Sequence, residues 1–251
     1  MRIDLNCDVG ESFGAYTLGD DAQILEHVTS ANIACGFHAG DHATMRHTVR
    51  LAVDRNVAVG AHPGLPDLAG FGRRTMSISP QDAYDMVLYQ VGALAAFARA
   101  EGVPLRHVKP HGALYNMAAK DRELADAIAR AIARFDDALV LVGLAGSELI
   151  RAGGECGLRT ASEAFVDRRY EADGTLTSRR EASAMLASTT DALEQCRSIV
   201  MNGTVLSRQG TVVNLQADTL CIHGDSPQAA GLAAAVRAGL QALGVEIQPL
   251  G

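Results

Sequence analysis

Short apolar runs recur along the chain, separated by longer stretches in which apolar positions return every three or four residues. The runs are Arg2 to Cys7, Ala31 to Cys35, Val57 to Ala61, Leu105 to Lys109, Leu139 to Val142, Leu158 to Glu163 and Thr219 to His223. They are nearly continuous in apolar residues, which predicts strands of a buried parallel sheet. The stretches between them predict helices. Asp41 to Arg55 sets Met45, Val49, Ala52 and Val53 on one face. Ser79-Pro80 supplies a capping side chain and a proline at the first helical position for a helix running to about Arg99. Asp121 to Phe135 and Ser226 to Leu243 show the same period, the latter followed by Gly244 as a left-handed cap.

Seven strands in 251 residues leave about 36 residues for each strand-plus-helix unit, the spacing of repeated βα units. The predicted fold class is therefore α/β, a single (β/α) barrel. Met201 to Leu206 and Thr211 to Leu215, separated by Ser207-Arg208-Gln209-Gly210, break the rhythm and predict a hairpin inserted near 201–215, before the last strand. No Pro/Ser-rich linker or charge run divides the chain, so one domain over 1–251 is expected.

Composition narrows the function. The 48% hydrophobic and 20% charged residues exclude collagen-like, low-complexity and disordered chains. A net charge of -7 argues against binding nucleic acid through phosphate neutralisation. Only Lys109 and Lys120 are lysines, so the place of each is informative. The cysteines Cys7, Cys35, Cys156, Cys196 and Cys221 are odd in number and form no CxxC pair. They read as reduced, mostly buried thiols of a cytoplasmic protein. The opening MRIDLNCDVGE lacks the apolar core of a secretory signal, and no apolar run is long enough for a membrane span, so no membrane association is expected.

Almost every predicted strand ends in residues able to do chemistry. Asn6-Cys7-Asp8 closes the first, with Glu11 nearby; Gly36-Phe37-His38 follows the second and His62-Pro63 the third. Lys109-Pro110-His111-Gly112, Glu163 and His223-Gly224-Asp225 end three more. In a parallel barrel these ends converge on one face. Turn residues such as Ser, Asn and Asp would suffice if the positions only entered loops. Lys109 admits two compatible roles, a charge partner for Glu163 or Asp8 and a buried cation that binds an anion or polarises a carbonyl oxygen. His38 and His42 form an HxxxH pair, and Asp8, His38 and His62 offer a metal triad similar to that of barrel deacetylases. Acid/base or donor roles for the histidines are the preferred reading.

Gly70-Phe71-Gly72-Arg73-Arg74 and Asp167-Arg168-Arg169-Tyr170 suit either an anionic ligand or a solvated face. The sequence has no phosphate-binding GxxxxGK[ST] loop, GxGxxG turn or GxSxG elbow. Cys7 and Cys35 read as buried residues rather than nucleophiles.

Six segments carry a resemblance: DLNCDVGESFG (4–14), ANIACGFHAGD (31–41), GAHPGLPDLAGFGRR (60–74), VKPHGALYN (108–116), EAFVDRRYEADGTLTSR (163–179) and CIHGDSPQA (221–229). In order, and over nearly the whole chain, they resemble the LamB/YcsF family. His42 stands where many members carry proline, which makes the HxxxH pair incidental. The resemblance implies a seven-stranded barrel related to glycoside hydrolases and deacetylases. It also implies the activity of the A component of bacterial ATP-dependent 5-oxoprolinase, in which 5-oxo-L-proline, ATP and water give L-glutamate, ADP and phosphate. The 5-oxoprolinase subunits B and C are then expected partners, ATP the co-substrate, and a divalent metal, Mg carried with ATP, a further cofactor. With no nucleotide motif here, ATP is expected wholly or partly on the partners.

On that expectation Arg73 or Arg168 holds the substrate carboxylate, with Asn6, Asn32, Arg74, Tyr115 and Asp225 completing substrate binding. Lys109 with His111 stabilises charge on the lactam oxygen, Asp8, Glu11 or Glu163 activates water, and His38, His62 or His223 moves protons. Two alternatives stay open: a stand-alone metal-dependent amidohydrolase or carbohydrate deacetylase, and a non-catalytic 5-oxoproline-binding subunit.

Overall fold

A computed structural model describes residues 1–179, 181–224 and 228–250. In chain order the strands are β1 (Arg2–Val9), β2 (Ser30–Ala34), β3 (Ala58–His62), β4 (His107–Val108), β5 (Val140–Leu144), β6 (Arg159–Phe165), β7 (Thr204–Leu206), β8 (Val212–Asn214), β9 (Thr219–His223) and β10 (Glu246–Ile247). The helices are α1 (Asp21–Ile24), α2 (His42–Asp54), α3 (Pro80–Ala100), α4 (Gly112–Ala118), α5 (Arg122–Phe135), α6 (Glu148–Glu155), α7 (Thr189–Asn202) and α8 (Ala229–Ala242). Strands β1 to β6 pair in parallel succession, β6 pairs with β9, and β9 closes back on β1. The result is a closed seven-stranded parallel barrel ringed by helices. Strand β10 extends only the entry of β1, and β7 with β8 forms an antiparallel hairpin outside the barrel.

Local chemistry sets the element ends. Asp41 caps α2 by accepting from the amides of Ala43 and Thr44, and Ser79 with Asp82 forms a capping box ahead of Pro80. Helix α7 runs on through Met201 and Asn202, which the hydrophobic pattern assigns to a strand; Gly203, at φ +66°, ends it and frees the chain to enter β7. The predicted last helix begins with Ser226, outside the described residues; its described part is α8, and Gly244 follows at φ +75°. Among the described residues no helix is long and apolar enough to cross a membrane.

The interior of the barrel departs from the pattern of continuous apolar strands. Strand β1 alternates: Ile3, Leu5, Cys7 and Val9 join the apolar core, while Asp4, Asn6 and Asp8 bond across the lumen. Asp4 accepts from Thr29 and Ser30 at 2.7 Å each and also from Thr219. Higher up, Asn6 donates to Glu163 and Thr219, and Asn32 donates to Asn6 and Asp8. The lumen is thus a ladder of paired polar side chains, which a closed barrel accommodates because residues alternate between its inside and outside. His107 joins that ladder through Asn32 Oδ1 at 2.8 Å, and its ring occupies the space left by the missing side chain of Gly60 on β3.

Two glycines are expected to respond to substitution in opposite directions. A Cβ on Gly60 would lie 2.0 Å from His107 Nε2, so Gly60→Ala is expected to lose about 1–3 kcal/mol in urea unfolding. Gly154→Ala, on the open face of α6, is expected to be stabilising by about 0.5–1 kcal/mol. Burial pushes the Asp4 carboxyl up from the ordinary 3.8 to about 6 against three hydroxyl donors. The folded chain then holds a proton that the unfolded chain releases between these values, so the penalty is absent below pH 4 and grows as pH rises through 6. Between pH 4 and 7, wild type is expected to lose about 3 kcal/mol relative to Asp4→Asn in parallel unfolding curves.

Candidate active site at the C-terminal mouth of the barrel

The strand ends gather around a cavity of about 760 Å³ at the mouth of the barrel. Register brings them together: Asp8 lies beside His223 of β9 and Asn32 of β2, and Ala34 beside His62 of β3. At the floor, Lys109 extends from the end of β4 and is only 2% exposed. Its ammonium is 2.9 Å from Asp8 Oδ1, 2.8 Å from Glu163 Oε1 and 3.1 Å from Cys221 Sγ. Burial alone would discharge this lysine, but Asp8, Cys221 and Glu163 together hold its pKa well above the usual range. Burial likewise opposes the Asp8 carboxylate, and His62 and Lys109 overcome it, holding the Asp8 pKa well below the usual range.

A chain of imidazoles forms one side of the floor. Backbone carbonyls accept hydrogen bonds only, so His62 Nδ1 donates to Lys109 O at 2.7 Å and His111 Nε2 donates to Phe71 O at 2.8 Å. Burial, reinforced by His38 and His62, pushes the His111 pKa well below its usual value. Neutral His111 then accepts at Nδ1, and His62 Nε2 donates to it at 3.0 Å. His62 Nε2 also lies 3.3 Å from Asp8 Oδ2. A second pair stands opposite: His223 Nδ1 donates to Asp167 at 3.0 Å, and the His223 ring stacks on Phe165. Burial opposes the Asp167 carboxylate, but His223 outweighs it and lowers the Asp167 pKa.

The predicted residues separate by depth. Asp8, His62, Lys109, His111, His223, Arg73, Arg74, Tyr115 and Arg168 line the cavity. Five others do not. Asn6 and Asn32 are spent within the lumen ladder below it, so direct substrate contact is not where the structure places them. Glu163 is wholly buried, with Oε1 taken by Asn6 and Lys109 and Oε2 by the Tyr115 hydroxyl, which removes it from water activation. Glu11 and His38 lie behind the wall, 3.3 Å from each other, with the His38 ring stacked on His111. His111 has both nitrogens engaged, so it positions His62 rather than meeting a lactam oxygen. Asp225 lies outside the described residues. Arg74 bonds Asp67, while Arg73 lies over the Phe71 ring at 4.7 Å. His42 is exposed at the start of α2, away from His38.

All five cysteines are free, and burial pushes the Cys35 thiol up to about 12 and the Cys7 thiol well above its usual value, so neither is a ready nucleophile. Asp167 is the functional candidate that sequence reasoning did not single out; its one signal was adjacency to Arg168 in a polar stretch without periodicity.

Among the described residues, two clusters offer metal-ligand atoms within 4.8 Å of one another: Glu11, His38, His62 and His111, and Asp8, Cys221 and His223. Neither fits an ion in its present arrangement. In the first, the His38 and His111 rings are parallel within 2° and 3.7 Å apart, so no single point lies in both ring planes, where nitrogen lone pairs point. In the second, the Lys109 ammonium already stands between Asp8 and Cys221 as the local cation. The deacetylase-like triad Asp8, His38 and His62 is not among these clusters.

Comparison with known proteins agrees with this geometry at the level of family and fold. The LamB/YcsF family profile matches residues 3–251. The chain is 59% identical over 247 residues to the A component of 5-oxoprolinase from Bacillus licheniformis, covering 98% of both chains. It is 61% identical over 249 residues to that of Tolumonas auensis, covering 99% of both. The crystal structure of the lactam utilization protein from Thermus thermophilus superposes with a TM-score of 0.94 at 48% identity over the full length of both chains. The T48 deacetylase, at 11% identity and a TM-score of 0.50 over 98% of this chain and 86% of its own, shares the barrel fold alone. The chain belongs to the LamB/YcsF family.

Proposed function

We propose that this chain is the A component of an ATP-dependent 5-oxoprolinase, opening 5-oxo-L-proline to L-glutamate together with B and C subunits. The observation that carries this reading is full-length identity of about 60% to two proteins named as the A component of 5-oxoprolinase. The cavity chemistry supports it. A lactam carbonyl is a weak electrophile, and transfer of the γ-phosphoryl group of ATP to its oxygen, with release of ADP, activates the ring carbon. Water then adds to that carbon. The ring C–N bond breaks as nitrogen gains a proton, leaving an acyl phosphate, which a second water converts to glutamate and phosphate.

The two histidine–carboxylate pairs have different tasks. His223, with Nδ1 bound to Asp167, presents Nε2 as the base for water and passes that proton to the departing nitrogen; His62, with both nitrogens bonded within the floor, holds Asp8 in place. Lys109 contributes fixed positive charge in a site screened from water.

Mixing the chain with candidate B and C subunits, omitting each in turn, and following ADP and glutamate tests the reading. Glutamate is expected only when this chain is present, and its formation at full rate without the chain overturns the assignment. His223→Gln and Asp167→Asn are expected to lower glutamate kcat by about 10²-fold or more. ATP-independent deacetylation by the metal-loaded chain alone would instead favour the stand-alone amidohydrolase.

A further inference from the structure

The cavity has two electrostatically different surfaces. On the floor, the Lys109 ammonium is paired with Asp8 and Glu163, and His62 also faces Asp8, so the cation there is already matched. The opposite wall comes from the segment after β6 and from the loop carrying Arg73, and it is dominated by guanidinium groups. Arg168 is the informative one. It is buried to 5% exposure in the cavity lining, it donates from Nη2 to Thr177 O at 2.6 Å, and its Nε has no hydrogen-bond partner. A buried guanidinium donor left unsatisfied is costly, and at a cavity wall it marks a place where a ligand completes the bonding.

Like charges surround that donor. Arg179 and Arg73 also line the cavity, and both act electrostatically on Arg168. Burial first, and then Arg179, pull the Arg168 pKa down to about 10, while Asp167 partly offsets them. Asp167 is already bonded to His223. Three guanidinium groups facing one shared space suit an anion with more than one charge and several acceptor oxygens, because each planar fork can meet two oxygens. A carboxylate offers two oxygens and one charge; a phosphoryl group offers three oxygens and about two charges.

We infer that Arg168, together with Arg179 and Arg73, forms a phosphoryl-binding subsite on the cavity wall facing Asp8, His62, Lys109 and His223. The subsite stands on the unsatisfied buried donor of Arg168; Arg73 and Arg179 enter as the charges near it, whatever else they touch. What carries the phosphoryl group rests on the 5-oxoprolinase reading: it is the lactam activated at its oxygen, received by this chain with the phosphoryl on the wall and the ring carbon over the floor. This chain then performs ring opening on a phosphorylated substrate.

The test uses the full chain, without partners, and inorganic phosphate as the probe, with acetate and 5-oxo-L-proline as the comparison anions at matched ionic strength. Calorimetry and thermal shift are expected to show saturable phosphate binding by wild type, at least ten-fold weaker in Arg168→Met. Arg168→Lys, which keeps the charge without the fork, is expected to fall between them, and Arg237→Met, on the outer helix α8, to match wild type. Circular dichroism separates a lost site from a lost fold, and Arg179→Gln, at an exposed position, provides a second variant expected to weaken phosphate. Equal weakening of 5-oxo-L-proline and phosphate by Arg168→Met, or phosphate binding that no arginine variant changes, overturns the proposal. Because no glutamate is measured here, failure of this test leaves the 5-oxoprolinase reading standing, and failure of the glutamate assay leaves the phosphate result standing.

Discussion

A single ammonium group sits where four strands of the barrel meet. Lys109, at the end of β4, reaches Asn6 and Asp8 on β1, Glu163 on β6 and Cys221 on β9. One step further, Asp8 engages Asn32 on β2 and His62 on β3, and Glu163 takes the Tyr115 hydroxyl. None of these groups could stay charged or bonded in a dry lumen alone. Removing one partner from such a network costs several kcal/mol because the remaining charge is stranded. The polar interior of this barrel is therefore tolerable only as a complete set.

That requirement connects fold to function. Because the ladder is saturated at the level of Asn6, Asn32 and Glu163, those side chains hold the floor in place and leave the chemistry to the layer above. In that layer the histidines are differentiated by their partners: His111 is kept neutral by burial, His62 is held between a carbonyl, His111 and Asp8, and His223 is oriented by Asp167. Preorganised groups of this kind avoid reorganisation during reaction. The cationic wall supplies binding charge that the balanced floor lacks. Under the proposed function it would let a chain of net charge -7 receive an anionic substrate.

Much of the barrel was legible in the sequence, since each barrel strand is a short run and all but β5 are bounded by chemistry-bearing residues. The convergence of Asp8, His62, Lys109, His111 and His223 was legible for the same reason: a parallel barrel leaves strand ends only one common face. Depth was not. Glu163 lies two residues before the end of β6, and only the closed register shows that its oxygens are consumed below the cavity. Helix α6 was hidden by Gly153 and Gly154; Gly153 is required because a Cβ there would meet Thr160 at 2.6 Å. On the wall, Arg168 was legible as an anion-binding candidate, but the roles of Asp167 and Arg179 were not, because the shape of that segment comes from isolated bridges and side-chain bonds, which leave no periodic trace.

Lys109 organises the floor, and under the proposed function the same charge serves ring opening. Glutamate formation by the reconstituted complex carrying Lys109→Met with Glu163→Gln, which removes the cation without stranding the Glu163 carboxylate, measures this directly. A folded barrel by circular dichroism and glutamate turnover at least about 10²-fold below wild type are expected. Wild-type glutamate turnover by the folded double variant would refute that role for Lys109.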